Sequence, residues 1–454
     1  MRARIVRRLA ASARGLKRLP VVLLLASLVL LAGTPLVWNW RDAARHDQAA
    51  PAPNGPVNPQ AGGRALESTI KAAQQRLKDL PRDWSTWARL GSAYVQQGRI
   101  TADPAYYPKA EGALQKSLEL KDTANWQAMV GMAALTNARH DFRTALDWGR
   151  RAEQVNPSAG SVHGVLVDAL TQLGEYEKAR DSLQRMLDVE PGVSSFTRAS
   201  YDFEQRGQVV KARDALHRAL ADAASPADVA FCRYYLGELA FNNGDPAEAL
   251  RQYEQGIAHD PDYQLLYAGQ ARAQAALGQT AEALAGYDRV TQVLPLPELL
   301  VEYGDALQAA GQPDKAVQQY DLLTAARQLF TSNGVVDHLA TATFLADHGQ
   351  PAEALQQAQA EWKSRRSVLA ADALAWALHR NRRDTEALKY AQIATGLGWR
   401  NATFHYHRGM ILDAIGRRDQ ARRDLSTALA INPFFDALQA PIARTLLDTL
   451  GGPV

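Results

Sequence analysis

Residues 236–261 read LGELAFNNGDPAEALRQYEQGIAHDP. The stretch sets a small residue at Gly237, a Gly at 244, an Ala at 249, an aromatic ring at Tyr253 and a closing Pro at 261. Shifted by 34 residues, the same order returns as Ala271, Gly278, Ala283, Tyr287 and Pro295. Further out, Pro157 and Pro191 also stand 34 apart, and a Gly followed five residues later by Ala recurs at Gly174, Gly207, Gly311, Gly349 and Gly416. The Gly-to-Gly steps run 33, 37, 34, 33 and 38, then 67, which is two periods. A fixed period of this length predicts a solenoid of stacked helix pairs, each too small to bury its own apolar face. Such a chain is expected to act through its surfaces and not through a catalytic pocket.

At 454 residues the chain exceeds what one compact core organises, a limit that a repeat array escapes because each unit touches only its neighbours. The net charge of +3 conceals an asymmetry. Residues 1–20 hold seven basic side chains and no acid, so the remainder sums to 3 − 7 = −4. The repeat body is mildly acidic and has no basic stripe, which excludes nucleic acid as its partner. Cys232 is the sole cysteine, so neither an intrachain disulfide nor a cysteine-based metal cluster can form. Its setting between Phe231 and Tyr235 predicts a small buried hydrophobe. The Ala- and Arg-rich usage points to a bacterial source.

Residues 19–38, LPVVLLLASLVLLAGTPLVW, contain no charge. About 20 apolar residues span the hydrocarbon core of a bilayer as a helix, which predicts a transmembrane signal anchor. Trp38 and Trp40 fall where such a helix meets the interface. Residues 1–18 then form a basic cytoplasmic tail, and the positive-inside bias directs the rest of the chain out of the cytoplasm. The competing reading is a cleaved signal peptide; the run is long for that role, and no clean small-x-small cleavage site follows it. Residues 39–65 are rich in Pro, Ala and Gly and read as a flexible tether. The folded body is expected over 66–450.

Trp87, Leu90, Gly91 and Tyr94 spell W-x-x-L-G-x-x-Y, with Gly98 expected at the turn. This resembles the tetratricopeptide repeat, as do Leu166, Leu170, Gly174, Tyr176, Ala179, Leu183 and Pro191 in a third unit and Arg408, Gly409, Leu412, Gly416, Ala421, Leu425, Ala428 and Pro433 in a tenth. The resemblance covers roughly 350 residues and implies an all-α superhelix, an α-solenoid of about ten helix pairs behind one N-terminal transmembrane helix. Leu66–Leu80 and Phe435–Leu450 read as capping helices, and the insert Arg99–Pro108 as a loop.

In that family the first helices line a concave groove that accepts a peptide or helix from a partner. Carried over unit by unit, the resemblance places Tyr201, Glu204, Tyr234, Glu238, Phe241, Arg272, Asp305, Asp372, Trp376, Tyr406 and Asp413 in the groove. Aromatics supply contact area, and the acids bias the partner toward basic segments. The Lys/Asn clamp with which chaperone-associated members grip a C-terminal carboxylate is absent.

Chemistry elsewhere is sparse. His405-x-His407 has metal-like spacing, but residues two apart on a helix face different ways, so the pair reads as packing, with His405 in the core. No H-E-x-x-H, no P-loop and no nucleophile–base set occurs. The expectation is a non-enzymatic scaffold without cofactor or metal, tethered to the cytoplasmic membrane, with protein partners and a role in assembling or regulating an envelope complex. A cytosol-facing adaptor and an envelope enzyme on a helical-repeat fold are the alternatives.

Overall fold

The computed structural model describes residues 61–454. Every regular element among them is a helix. An opening helix α1 (Ala61–Asp79) precedes ten helix pairs, and a closing helix α22 (Gln439–Thr449) follows them. The pairs are α2 (Trp84–Thr101) with α3 (Tyr106–Leu120), α4 (Trp126–Ala138) with α5 (Phe142–Val155), α6 (Gly160–Leu173) with α7 (Tyr176–Val189), and α8 (Val193–Gln205) with α9 (Val209–Ala221). Then come α10 (Pro226–Asn242) with α11 (Pro246–His259), α12 (Gln264–Ala276) with α13 (Thr280–Val293), and α14 (Pro297–Ala309) with α15 (Pro313–Ser332). The last are α16 (His338–Asp347) with α17 (Pro351–Ser364), α18 (Val368–Arg380) with α19 (Asp384–Thr395), and α20 (Ala402–Ala414) with α21 (Arg418–Ile431). The tether expected to reach residue 65 gives way to α1 at Ala61. The apolar run 19–38 lies outside the described residues; among those described, no helix is long and apolar enough to cross a membrane.

Unit five shows how the local sequence builds a pair. Ser225 caps α10 by accepting the Asp228 N–H at 3.1 Å, and Pro226 follows at a position where its missing N–H costs nothing. Asp245 caps α11 through the Glu248 N–H at 2.9 Å, with Pro246 behind it. Between the helices Gly244 takes φ +81°, a left-handed turn that glycine enters without steric cost. The pair is closed by Tyr253, whose fully buried ring lies between Gly237 of its own unit and Gly269 of the next. A Cβ at either glycine would collide with that ring. Leu114 does the same between Gly91 and Gly131. The alternation of small and large residues is thus one buried side chain fitting two neighbouring first helices.

All ten turns inside the pairs pass through the left-handed region, even where the sequence has no glycine to mark them. Gly174, Gly207, Gly244, Gly278, Gly311, Gly349 and Gly416 lie at φ +70° to +81°. Ala102, His140 and Arg382 take φ +50°, +65° and +61° in units one, two and nine. Arg382 divides the apparent 67-residue gap into two ordinary periods. The insert Arg99–Pro108 corrects one expectation. It carries α2 past the expected turn at Gly98 to Thr101, moves the turn to Ala102 and opens α3 at Tyr106, and Tyr107 packs, fully buried, against Gly98.

The superhelix closes on itself after five to six units. Arg365 donates to the Gln172 side chain 193 residues away. The Val368 N–H donates to the Tyr176 hydroxyl at 2.9 Å across 192, and Asn432 Nδ2 to the Phe241 carbonyl at 2.9 Å across 191. In unit two the Arg139 carbonyl meets the Val336 N–H. Four successive turns, at Arg139–His140, Gly174, Gly207 and Gly244, therefore sit against four successive loops between later units. A Cβ on Gly207 would strike the Gly398 carbonyl oxygen, and one on Gly174 the Arg366 carbonyl. Gly278, by contrast, has open space around it.

This difference separates two effects of one substitution. Gly278→Ala is expected to cost only the left-handed strain of about 1–2 kcal/mol, whereas Gly207→Ala also forces apart two backbones and should cost ~1–3 kcal/mol more. Denaturant unfolding of the two variants checks this; equal losses would mean that the turns do not touch in solution.

Candidate functional site

Because the turns of the superhelix stack, its first helices face one another across a narrow interior. Of the eleven residues expected to line an open groove, seven are buried: Tyr201, Tyr234, Glu238, Phe241, Asp372, Trp376 and Tyr406. Glu204, Arg272, Asp305 and Asp413 are partly exposed. The expectation of an open groove is corrected by this closure, whose cause is a superhelical pitch small enough to bring residues some 192 positions apart into contact.

One group of these residues surrounds Arg272. Its guanidinium donates to Glu238 at 2.9 Å and to Glu302 at 3.2 Å and lies over the Phe241 ring, 5.4 Å from the centroid. Burial opposes charge on Arg272, but Glu238 and Glu302 outweigh it and hold the group firmly protonated. Tyr253 donates its hydroxyl to Glu238 at 2.6 Å, and Tyr234 packs among Tyr235, Tyr253 and Tyr263. Tyr201 meets Trp399 edge-on at 5.7 Å. Glu204 accepts from Asn242 Nδ2 at 3.3 Å. Its burial raises its pKa to about 7, with the charge of Glu238 adding to the shift and the bonds from Asn242 and Trp399 opposing it.

A second group joins units seven to ten. Asp305 accepts from the Tyr320 hydroxyl at 2.6 Å and lies 3.0 Å from His348 Nε2. Asp347 accepts from Trp376 Nε1 and from Gln439 Nε2, both at 2.7 Å. Trp376 stacks on His407 with ring centroids 4.1 Å apart, and His407 Nδ1 lies 2.9 Å from Asp372. Burial works against a proton on His407, and Asp372, Asp347 and Asp436 together overcome it, so its pKa is raised. Burial pushes Asp347 up to about 6. The two histidines of 405-x-407 do diverge, but with roles reversed from expectation. His407 is the buried one, while His405 is partly exposed beside Asp424 at 3.0 Å. No set of three or more potential ligands that could hold a metal ion occurs among the described residues. Cys232 is buried, and burial raises its thiol pKa to about 12, as suits a packing residue.

Between the two groups lies a cleft of about 490 Å³. One wall is built by α10, α12, α13 and α14 of the middle units, the other by residues 399–403 and the segment 432–444. Phe241, Arg272 and Asp305, three of the expected groove residues, line it. Tyr201, Glu204, Tyr234, Glu238, Asp372, Trp376, Tyr406 and Asp413 do not. Sequence reasoning missed Glu302, Trp399 and the run Phe434–Asp436. Glu302 stands 30 residues beyond Arg272, close to one period, and could have been found by extending the unit register. The C-terminal segment carried no such cue. The volume falls in the range of pockets that accept small molecules or a few side chains.

The architecture is that of an all-α solenoid of helix pairs. Residues 230–263 match the family model described as tetratricopeptide repeat. The chain thus carries a tetratricopeptide repeat within its solenoid. No curated protein matches its sequence. Among solved structures it is similar to a tetratricopeptide repeat protein from Parabacteroides merdae at 16% identity, covering 60% of this chain and 99% of that one with a TM-score of 0.40. It is also similar to a thermophilic TPR protein of Thermus thermophilus at 23% identity, covering 43% of this chain and 98% of that one with a TM-score of 0.37. Human IFIT1 is similar at 15% identity, over 73% of this chain and 78% of that one, with a TM-score of 0.45.

The raised pKa of Glu204 has a measurable consequence. The folded protein binds this proton more tightly than the unfolded chain, so the stability it contributes is full below the ordinary carboxylate pKa and is lost as pH rises through about 7. Glu204→Gln should melt close to wild type at acidic pH, near the ordinary carboxylate range, and above it at alkaline pH. A difference in melting temperature independent of pH would show that the carboxyl is not held protonated.

Proposed function

We propose that this chain is a non-enzymatic scaffold that holds a segment of a partner protein in the cleft between its middle units and its C-terminal segment. The observation that supports this most is the cleft itself. Its walls come from residues about 30 to 200 positions apart, and its lining mixes aromatic rings with charged groups. Interfaces of this composition anchor on aromatics and take orientation from charge. The carboxylates facing the interior favour partners with basic segments. In this reading residues 19–38 anchor the protein in a bacterial cytoplasmic membrane, residues 39–60 tether it, and the superhelix stands outside the cytoplasm, where it assembles or regulates an envelope complex.

Ala275 and Ala309 are exposed residues of the cleft lining, so replacing both with Trp fills the opening without disturbing the core. The double variant should keep the wild-type melting temperature and lose the cross-links that a photoreactive residue placed at Ala306 forms with a partner in cells. Unchanged cross-links would remove the cleft from the mechanism.

The anchor is tested separately. Protease added to intact spheroplasts should degrade the superhelix, and the purified protein should begin at or near Met1 and need detergent. Protection from the protease would favour a cytosol-facing adaptor, and a mature start near residues 45–55 would show cleavage.

A further inference from the structure

Of the four turns that meet later loops at the seams of the superhelix, three are built on glycine and one on His140. The His140 side chain, 4% exposed, lies on Phe142 with ring centroids 5.7 Å apart, and neither of its ring nitrogens has a hydrogen-bond partner. The Asp337 carboxylate stands 4.0 Å from Nδ1, beyond hydrogen-bond reach, and caps α16 by accepting the Ala340 N–H at 3.0 Å. Arg365, at the end of α17, lies over the Phe142 ring, 4.7 Å from the centroid, and is bonded to Glu361 and Gln172. On the turn itself Arg139 pairs with Glu111 at 2.8 Å, and Asp141 caps α5. Backbone and apolar contacts close the seam around the ring. The Val336 N–H donates to the Arg139 carbonyl at 3.4 Å, Gly334 lies against the Arg139 guanidinium, and buried Val335 shares a core cluster with Ala138.

A neutral imidazole buried without partners costs stability, and a phenyl ring would fill the same space without that cost. What the imidazole has and a phenyl lacks is a charge that appears on acidification. An imidazolium here would hold two unsatisfied donors near the fixed charge of Arg365, with one carboxylate at 4.0 Å. Burial pushes the His140 pKa down to about 4, with Asp337 opposing the fall and Arg365 adding to it.

We propose that His140 is an acid-sensitive catch on the first seam of the superhelix: neutral, it lets the turn of unit two close on residues 333–337, and protonated, it parts them. The sign follows from linkage. The closed form binds the proton less tightly than the open one, so closure is full above the ordinary histidine pKa of 6.5 and weakens as pH falls from there toward about 4. The glycine turns of the other three seams offer no titrating side chain, so the response starts at unit two.

The test follows the Val336 amide of the full chain in detergent by hydrogen exchange, corrected for the intrinsic rate at each pH. Its protection should fall roughly 30-fold from pH 8 to pH 5, the ratio for a ring that titrates at 6.5 when open and about 4 when closed. In His140→Phe, and in His140→Asn, whose side chain suits a left-handed φ, protection should stay constant over that range. The His140 imidazole resonance, identified by its loss in His140→Asn, should titrate well below 6.5 in the wild type. It should titrate lower still in Asp337→Asn, where an amide keeps the cap and removes the charge that favours imidazolium. Constant wild-type protection, an equal fall in the non-titrating variants, or a resonance titrating near 6.5 would overturn the inference. The wild-type measurement decides even where a variant folds poorly.

Discussion

Backbone meets backbone where Gly174, Gly207 and Gly244 touch the loops that lead into units nine and ten and into the closing helix. At these three turns a glycine satisfies two demands at once. It takes the left-handed conformation that reverses the chain inside a pair, and it leaves room for a carbonyl from the next superhelical turn. Without that approach the later units would lie away from the earlier ones, and the first helices would face solvent. With it, the groove becomes an interior. Gly278 and Gly311 lie beyond the overlap and keep only the conformational demand.

The interior that results is polar as well as aromatic, and its stability depends on pairing. Arg272 between two glutamates, His407 between Trp376 and Asp372, and Asp347 beneath Gln439 each join helices of different units, with His407 fully buried and Arg272 and Asp347 partly exposed. Buried charges of this kind add little net stability compared with apolar residues, but breaking one partner is costly. They therefore fix the register of these units on one another more than they strengthen the fold. In the cleft this pairing is incomplete at one residue, Asp436, which accepts only from the backbone N–H groups of Leu438 and Gln439.

In the scaffold reading proposed above, function is carried by the spacing of side chains and not by a reactive centre. The buried thiol of Cys232 and the separately paired His405 and His407 behave as structural groups. In that reading the molecule offers a partner shape and charge at the join between the middle of the array and its end. Both walls must be in place for the site to exist, so occupancy of the cleft and closure of the superhelix are linked.

The sequence alone determined the helix pairs, their number and their turns. Caps such as Ser225 and Asp245, the glycine markers and the alternation of Gly237 with Tyr253 act within one or two units, over distances that a 34-residue pattern encodes. Even Ala102, His140 and Arg382, which break the glycine marker, fall where the period requires a turn. The pitch of the superhelix is another matter. It accumulates from small rotations at each interface between units, and no single residue states it. Only the tertiary structure decided that the Asn432 side chain would reach the Phe241 carbonyl and that Trp376 would be buried instead of presented. It also decided that Phe241, Arg272 and Asp305 would share a cleft with residues from the far end of the chain.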